Sequence, residues 1–550
     1  MEYDKTDMTT YLNRRGMVFL EKAWRISNMK NNPIIWADYP DLDAIRVDDT
    51  YYMVSTTMHM IPGCVILRSY DLIHWEVAAH VYDTLDDTPA QRLEGEMHIY
   101  GKGMWAASLR YHREKYYICF VANDTHKTNL FTAIDIMGPW AKQEIEGFYH
   151  DSSLLFDDDG RVYIMYGNTE IHLTELKEDL SGPKPGGLDR TVVKEMQEYF
   201  LGYEGAHLYK INGKYYAFFI HILKSGNRRR TQACFVADSL EGEFTGGEIF
   251  DDDMGYHNSG VAQGGIVDTP DGKWYAILFQ DHGAVGRIPV VVPMHWENYF
   301  PVLGVNGKAP HSIEIVSTRP GNAYKSLVGS DDFIYAPDPD GKVRVKDIWQ
   351  WNHIPADGLW SVTEKPGTYR IRSGKLCRNV SHAVNTLTQR TMGPACEAVV
   401  TLDGKELNDG DYAGLCLLIG TYGLIALTKE AGRNSLVMLA KSSKDSSIFE
   451  NLIDSEPGTE FARIPVSGDK VTLKACCNFI DNTDECEFYY LEREEWKKLG
   501  ITHKMYYKLD HFMGCRFGLF LFSTGEIGGV AEFSKFRYSI KGQLPIQETG

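Results

Sequence analysis

A chain of 550 residues exceeds what one hydrophobic core usually supports, which predicts two domains. With 43% hydrophobic and 24% charged residues it has the composition of a soluble globular protein, and a formal net charge of −18 with no Lys/Arg block excludes a nucleic-acid partner. No run approaches the roughly 18 apolar residues that span a membrane, and ten cysteines without CxxC or metal-ligand spacing read as free thiols in a reducing cytoplasm.

Residues 1–30 read as an N-terminal extension. Arg14 and Arg15 are followed only by a short apolar run over 16–20, too short for a signal peptide. From 31 to 326 one unit recurs five times: β-forming residues, a polar turn, then an aromatic pair or its remnant leading into an apolar run. The units close on Asp49-Thr50-Tyr51-Tyr52, Glu114-Lys115-Tyr116-Tyr117, Gly160-Arg161-Val162-Tyr163, Gly213-Lys214-Tyr215-Tyr216 and Gly272-Lys273-Trp274-Tyr275. Asn-Gly and Asp-Gly between alternating runs are strong hairpin signals, because a type I′ turn needs φ > 0 at both central residues. Spacings of 46 to 65 residues between the closing tyrosines leave room for four strands per unit. The expected fold is therefore all-β, a five-bladed β-propeller, with an irregular sandwich as the alternative. From 327 to 550, alternating strands and Gly-rich turns without a catalytic constellation predict a second β-sandwich domain.

The repeat also aligns five distant positions. Counting back twelve residues from the closing tyrosine gives Trp105, Asp151, Glu204 and Gln263, and Asp41 lies eleven before Tyr52. The innermost strand of a blade runs along the central channel, so these five side chains should converge at one mouth. Three converging carboxylates suit glycosidic hydrolysis, which needs an acid for the leaving oxygen and a carboxylate to activate water. A third carboxylate raises the pKa of the acid by like-charge repulsion. Arg287, a cation opening an apolar strand after the fifth hairpin, is the candidate for holding sugar hydroxyls.

Several runs carry a family resemblance. They are Asn32-Pro33-Ile34-Ile35-Trp36-Ala37-Asp38-Tyr39-Pro40-Asp41, Trp105-Ala106-Ala107-Ser108, Asp151-Ser152-Ser153-Leu154 and Glu204-Gly205-Ala206-His207-Leu208. Together with Trp349-Gln350-Trp351-Asn352-His353 and Asp411-Tyr412-Ala413-Gly414-Leu415, they resemble glycoside hydrolase family 43 in its two-domain form. The resemblance implies a concanavalin-like jelly roll behind the propeller and an inverting, exo-acting β-xylosidase that releases terminal pentose from xylo-oligosaccharides. An α-L-arabinofuranosidase or an enzyme with both activities is the alternative, and a non-catalytic sugar-binding propeller is the reading from another class. The resemblance makes Asp41 the general base, Glu204 the general acid and Asp151 the residue that tunes it. It makes Arg287 a sugar ligand, with a base-to-acid separation of about 6.5–9.5 Å.

Trp105, Gln263 and His59 are further candidates for substrate binding. His59 stands in Thr57-Met58-His59-Met60, where many relatives carry an aromatic wall residue. The histidine that holds a central cation in many relatives has its nearest counterpart in His257, a candidate ligand for a structural Ca2+, while the chemistry itself requires no cofactor. Phe512 and the turn at 525–529 are candidates for the sandwich loop that closes the pocket. The expected partner is a small xylo- or arabino-oligosaccharide, and homo-oligomerisation is left open.

Overall fold

The computed structural model describes residues 30–541 except 340 and 444–446, so the expected N-terminal extension lies outside the described residues apart from Lys30. The chain is all-β. Five four-stranded antiparallel sheets follow one another along the chain and form the blades of a propeller. Their inner strands are Asp43–Val47, Met104–His112, Ser153–Phe156, Tyr199–Ile211 and Ala262–Asp268. Each inner strand packs against that of the next blade, and the first packs against the fifth, closing the ring.

The aromatic pair of each repeat has a physical cause. It opens the second strand of its blade, where consecutive side chains point to opposite faces. Tyr215 joins the core between blades three and four, while Tyr216 joins the core between four and five. Tyr52 of blade one meets Tyr116 of blade two edge-on, with ring centres 5.9 Å apart, and Tyr117 meets Phe156 of blade three at 4.5 Å. Each pair therefore fills two seams at once. Fully burying a large apolar side chain contributes about 1.5–3 kcal/mol, so the seams hold the ring closed. Asn212 and Gly213 take φ of 50° and 79° between their strands, as a type I′ turn requires. Arg113 and Glu114 adopt the same conformation at 48° and 60°, so the paired strands impose it on residues that do not favour it.

Polar side chains plug the axis below the mouth. Asp43 accepts from Leu109 N at 2.8 Å and Arg110 Nη1 at 2.6 Å, and its Oδ1 lies 3.2 Å from His207 Nδ1. Arg110 continues to Ser153 Oγ at 2.6 Å. Burial pushes the Asp43 carboxyl up, but Arg110 and His207 outweigh it and hold it below the usual range.

The remainder of the chain forms two large antiparallel sheets stacked face to face. One edge of the first is completed by the propeller. Met60–Ile61, from the first blade, pairs with Gln350–Asn352, Met60 opposite Asn352 and Ile61 opposite Trp351. This covers an edge that would otherwise expose unpaired backbone groups. One hydrophobic cluster runs from Val54 and Phe120 of the propeller to Leu415 and Phe533 of the sandwich. Arg390 also reaches across, donating to Asp38 O at 2.9 Å over the Tyr39 ring.

Candidate active site

The mouth of the propeller is built from the same short irregularity in every blade. Asp41, Asp151 and Gln263 have φ of 53°, 48° and 62°, and in blades two and four the positive φ falls one residue later, at Ala106 and Gly205. Strand register slips beside Trp105, Glu204 and Gln263. Such bulges re-aim side chains at the end of a ladder, and their strain is tolerated where the surrounding sheet over-determines it. All five blades line one small pocket, Asp41 and Gln263 singly and the others through Ala106-Ala107, Asp151-Ser152 and Gly205-Ala206-His207. Gly205 is required there, because a Cβ would stand 2.8 Å from the Gln263 side chain.

Arg287 opens the third strand of blade five, Arg287–Glu297, and is almost wholly buried. Its Nη1 donates to Asp41 Oδ1 at 2.8 Å, while its backbone N–H donates to Asp38 Oδ1 at 2.8 Å. The guanidinium lies 4.5 Å from the ring centre of Phe512, which comes from the sandwich. Trp105 stands 5.3 Å from the same ring, and its Nε1 donor is buried without a protein partner. Sugar hydroxyls could satisfy that donor and the similarly unpaired Nε of Arg287.

Two residues at the site had no place in the sequence reading. Asn168, at the end of Val162–Asn168 in blade three, donates through Nδ2 to Glu204 Oε2. His150 precedes Asp151, and its Nε2 lies 3.8 Å from both Asp151 Oδ1 and Glu204 Oε2. A His-Asp pair was visible in the sequence, whereas nothing local marked Asn168. Burial, reinforced by Glu204 and Asp41 and opposed by His150, pushes the Asp151 carboxyl up to about 7. A carboxyl raised that far holds its proton close to neutrality, so Asp151 is a proton store within reach of Glu204. A retained proton beside a carboxylate held by arginine is the pairing that acid–base hydrolysis needs.

Other predicted residues lie elsewhere. His59 is wholly buried, and its ring packs against Tyr100, His353 and His511 instead of lining the carboxylate pocket. His257 is exposed in a turn beside Tyr256. The turn at 525–529 packs on Asp411 and Ser373 of the sandwich, with Gly528 N donating to Ser373 O at 2.9 Å. His150, Asp151 and Glu204 form the one trio among the described residues with ligand-type atoms within 4.8 Å of one another. We assign them no metal.

Residues 30–301 match the model of glycosyl hydrolases family 43, and 342–539 match the beta-xylosidase C-terminal concanavalin A-like domain. The chain belongs to glycoside hydrolase family 43. It is therefore a glycoside hydrolase of an inverting family that needs no cofactor for catalysis. The structure of the bifunctional GH43-CE of Bacteroides eggerthii superposes with a TM-score of 0.84 and 41% identity over 92% of this chain, which spans 63% of that protein. A beta-xylosidase of Formosa agariphila is 25% identical over 93% of this chain and 90% of its own length. A xylosidase/arabinosidase of Butyrivibrio fibrisolvens is 25% identical over 90% of this chain and 96% of its own. Among the described residues no helix is long and apolar enough to cross a membrane.

Proposed function

We propose that this family 43 member is an exo-acting β-xylosidase that removes terminal xylose from xylo-oligosaccharides with inversion. One observation carries the reading: Asp41 is ion-paired with Arg287, while Asp151, whose carboxyl burial pushes up to about 7, stands within 4.8 Å of Glu204. Asp41, held in place by the guanidinium, takes a proton from water as that water attacks the anomeric carbon. Glu204 protonates the departing glycosidic oxygen, and Asp151 keeps the acid loaded. Arg287, Trp105 and Gln263 hold the sugar. Phe512 narrows the pocket from the sandwich side, which favours a chain end over the middle of a polysaccharide.

Glu204→Gln should spare sugar binding and lose most activity on xylobiose, while retaining more on aryl xylosides whose leaving groups need no proton. Asp41→Asn should lose activity on all substrates. Parental rates on xylobiose for either variant would sink the assignment. A second reading, activity on α-L-arabinofuranosides, is favoured by the likeness to a relative named for both activities. Rates on the two nitrophenyl glycosides separate them. Neither reading requires a structural Ca2+, so dialysis against a chelator should leave the rate unchanged. All ten cysteines are unpaired, which supports a reducing, cytoplasmic setting.

A further inference from the structure

We propose that His150 is a positioning residue for the acid: its imidazole stands between Asp151 and Glu204 and sets the alkaline limit of catalysis. The inference rests on the assignment of Glu204 as acid and Asp151 as its tuner.

The geometry is symmetric. Nε2 of His150 stands 3.8 Å from one oxygen of each carboxylate, beyond a direct hydrogen bond to either. A small rotation or one bridging water closes each gap. The oxygen it approaches on Glu204 is Oε2, which also accepts from Asn168. Both protein groups therefore gather on one oxygen, leaving Oε1 to face the leaving group. The backbone carbonyl of His150 accepts from Gly167 N at 3.0 Å, which ties residue 150 to the second strand of its blade. The positive φ of Asp151 then turns its carboxylate into the pocket, while the His150 side chain stays at the mouth, one quarter exposed.

The groups that face this imidazole are mostly acidic. Asp151 belongs to its own segment, Glu204 to blade four and Asp41 to blade one. Trp105 of blade two lies 6.1 Å away and carries no charge. Arg287, the other cation of the site, is engaged by Asp41. Attraction by Asp151, opposed by burial and aided by Glu204, lifts the imidazole to about 9, so it is cationic through the neutral range. A cation beside two carboxylates favours their ionised forms. It holds the Asp151 carboxyl below where burial alone would put it, so the site gives up its proton at a lower pH, and removing the imidazole moves that pH upward.

The test is the pH dependence of kcat/KM on xylobiose for the parent, His150→Gln and His150→Lys, with thermal melting to verify folding. His150→Gln should shift the alkaline limb upward by about one pH unit, and His150→Lys, which keeps a cation, should leave it near the parental position. On a dinitrophenyl xyloside, whose departure needs no acid, the same variants should show no shift. Superimposable alkaline limbs for parent and His150→Gln would overturn the proposal, as would an equal shift in His150→Lys. If His150→Gln melts early, His150→Asn carries the same readout. Failure of the underlying assignment is distinguishable: Glu204→Gln would then retain the parental rate on xylobiose, whatever the His150 variants do.

Discussion

The ring of Phe512 lies 4.5 Å from the guanidinium of Arg287, so a sandwich residue completes a site whose three carboxylates all belong to the propeller. Phe512 has a φ of 55°, and its N–H donates to Lys508 O at 2.9 Å, which fixes the loop that presents it. Cation–π contacts of this kind are worth about 0.5–2 kcal/mol, depending on how dry the site is. Phe512→Ala should lower kcat/KM on short xylo-oligosaccharides about tenfold with an unchanged melting temperature. An unchanged kcat/KM would show that the sandwich contributes nothing to the pocket.

Arg287 is buried, donates to Asp41, and its backbone is held by Asp38. Removing one partner of a buried ion pair costs about 3–5 kcal/mol, because the other charge stays unpaired. Arg287→Ala should therefore lower both melting temperature and activity. Arg287→Lys keeps the charge and loses the planar fork, so it should retain most stability while kcat/KM falls about a hundredfold. Comparable melting temperatures for both variants would remove the structural part of this argument.

The carboxyl of Asp151 lies at about 7 in the folded protein against 3.8 for an unperturbed aspartate. A raised value means that the folded state binds the proton more tightly, so stability is lost as pH rises from about 4 to about 7. Asp151→Asn removes that penalty. It should melt several degrees above the parent at pH 8, near the parent at pH 4, and lose at least about a hundredfold in activity. An equal difference at both pH values would point to a cause other than titration.

Behind Phe512 the two domains bury a group of imidazoles. His511 and His59 have ring centres 5.2 Å apart, and His59 is 4.7 Å from His353. Burial, then the charge of Arg516, lowers His511 to about 3 from 6.5, and burial, then His382, lowers His98 to about 4. These groups are neutral when folded, so they add no penalty above pH 6.5 and withdraw stability as pH falls toward 4. At about 1.4 kcal/mol per unit, His511 alone withdraws about 2 kcal/mol by pH 5. The melting temperature should fall by several degrees between pH 7 and pH 5, and by less in His511→Asn. A flat profile would mean that water reaches these rings.

Much of this protein is written in consecutive residues. Period-two alternation and turn chemistry are local, so Tyr215-Tyr216 and Asn212-Gly213 reveal a blade without knowledge of its neighbours. Because blades repeat, an offset of twelve residues from the closing tyrosine was enough to align Asp151 with Glu204, and one of eleven added Asp41. Tertiary structure alone decided what no offset encodes. Phe512, a candidate in the sequence only through the family resemblance, reaches Arg287 from 225 positions away, Met60–Ile61 leaves the propeller to pair with Gln350–Asn352, and Asn168 meets Glu204 across a blade boundary. It also buried His59 among other imidazoles, where the family resemblance implied a pocket wall. The first two and the fate of His59 depend on how the sandwich docks on the ring, the Asn168 contact on how two blades meet, and side-chain packing between distant segments has no local signature.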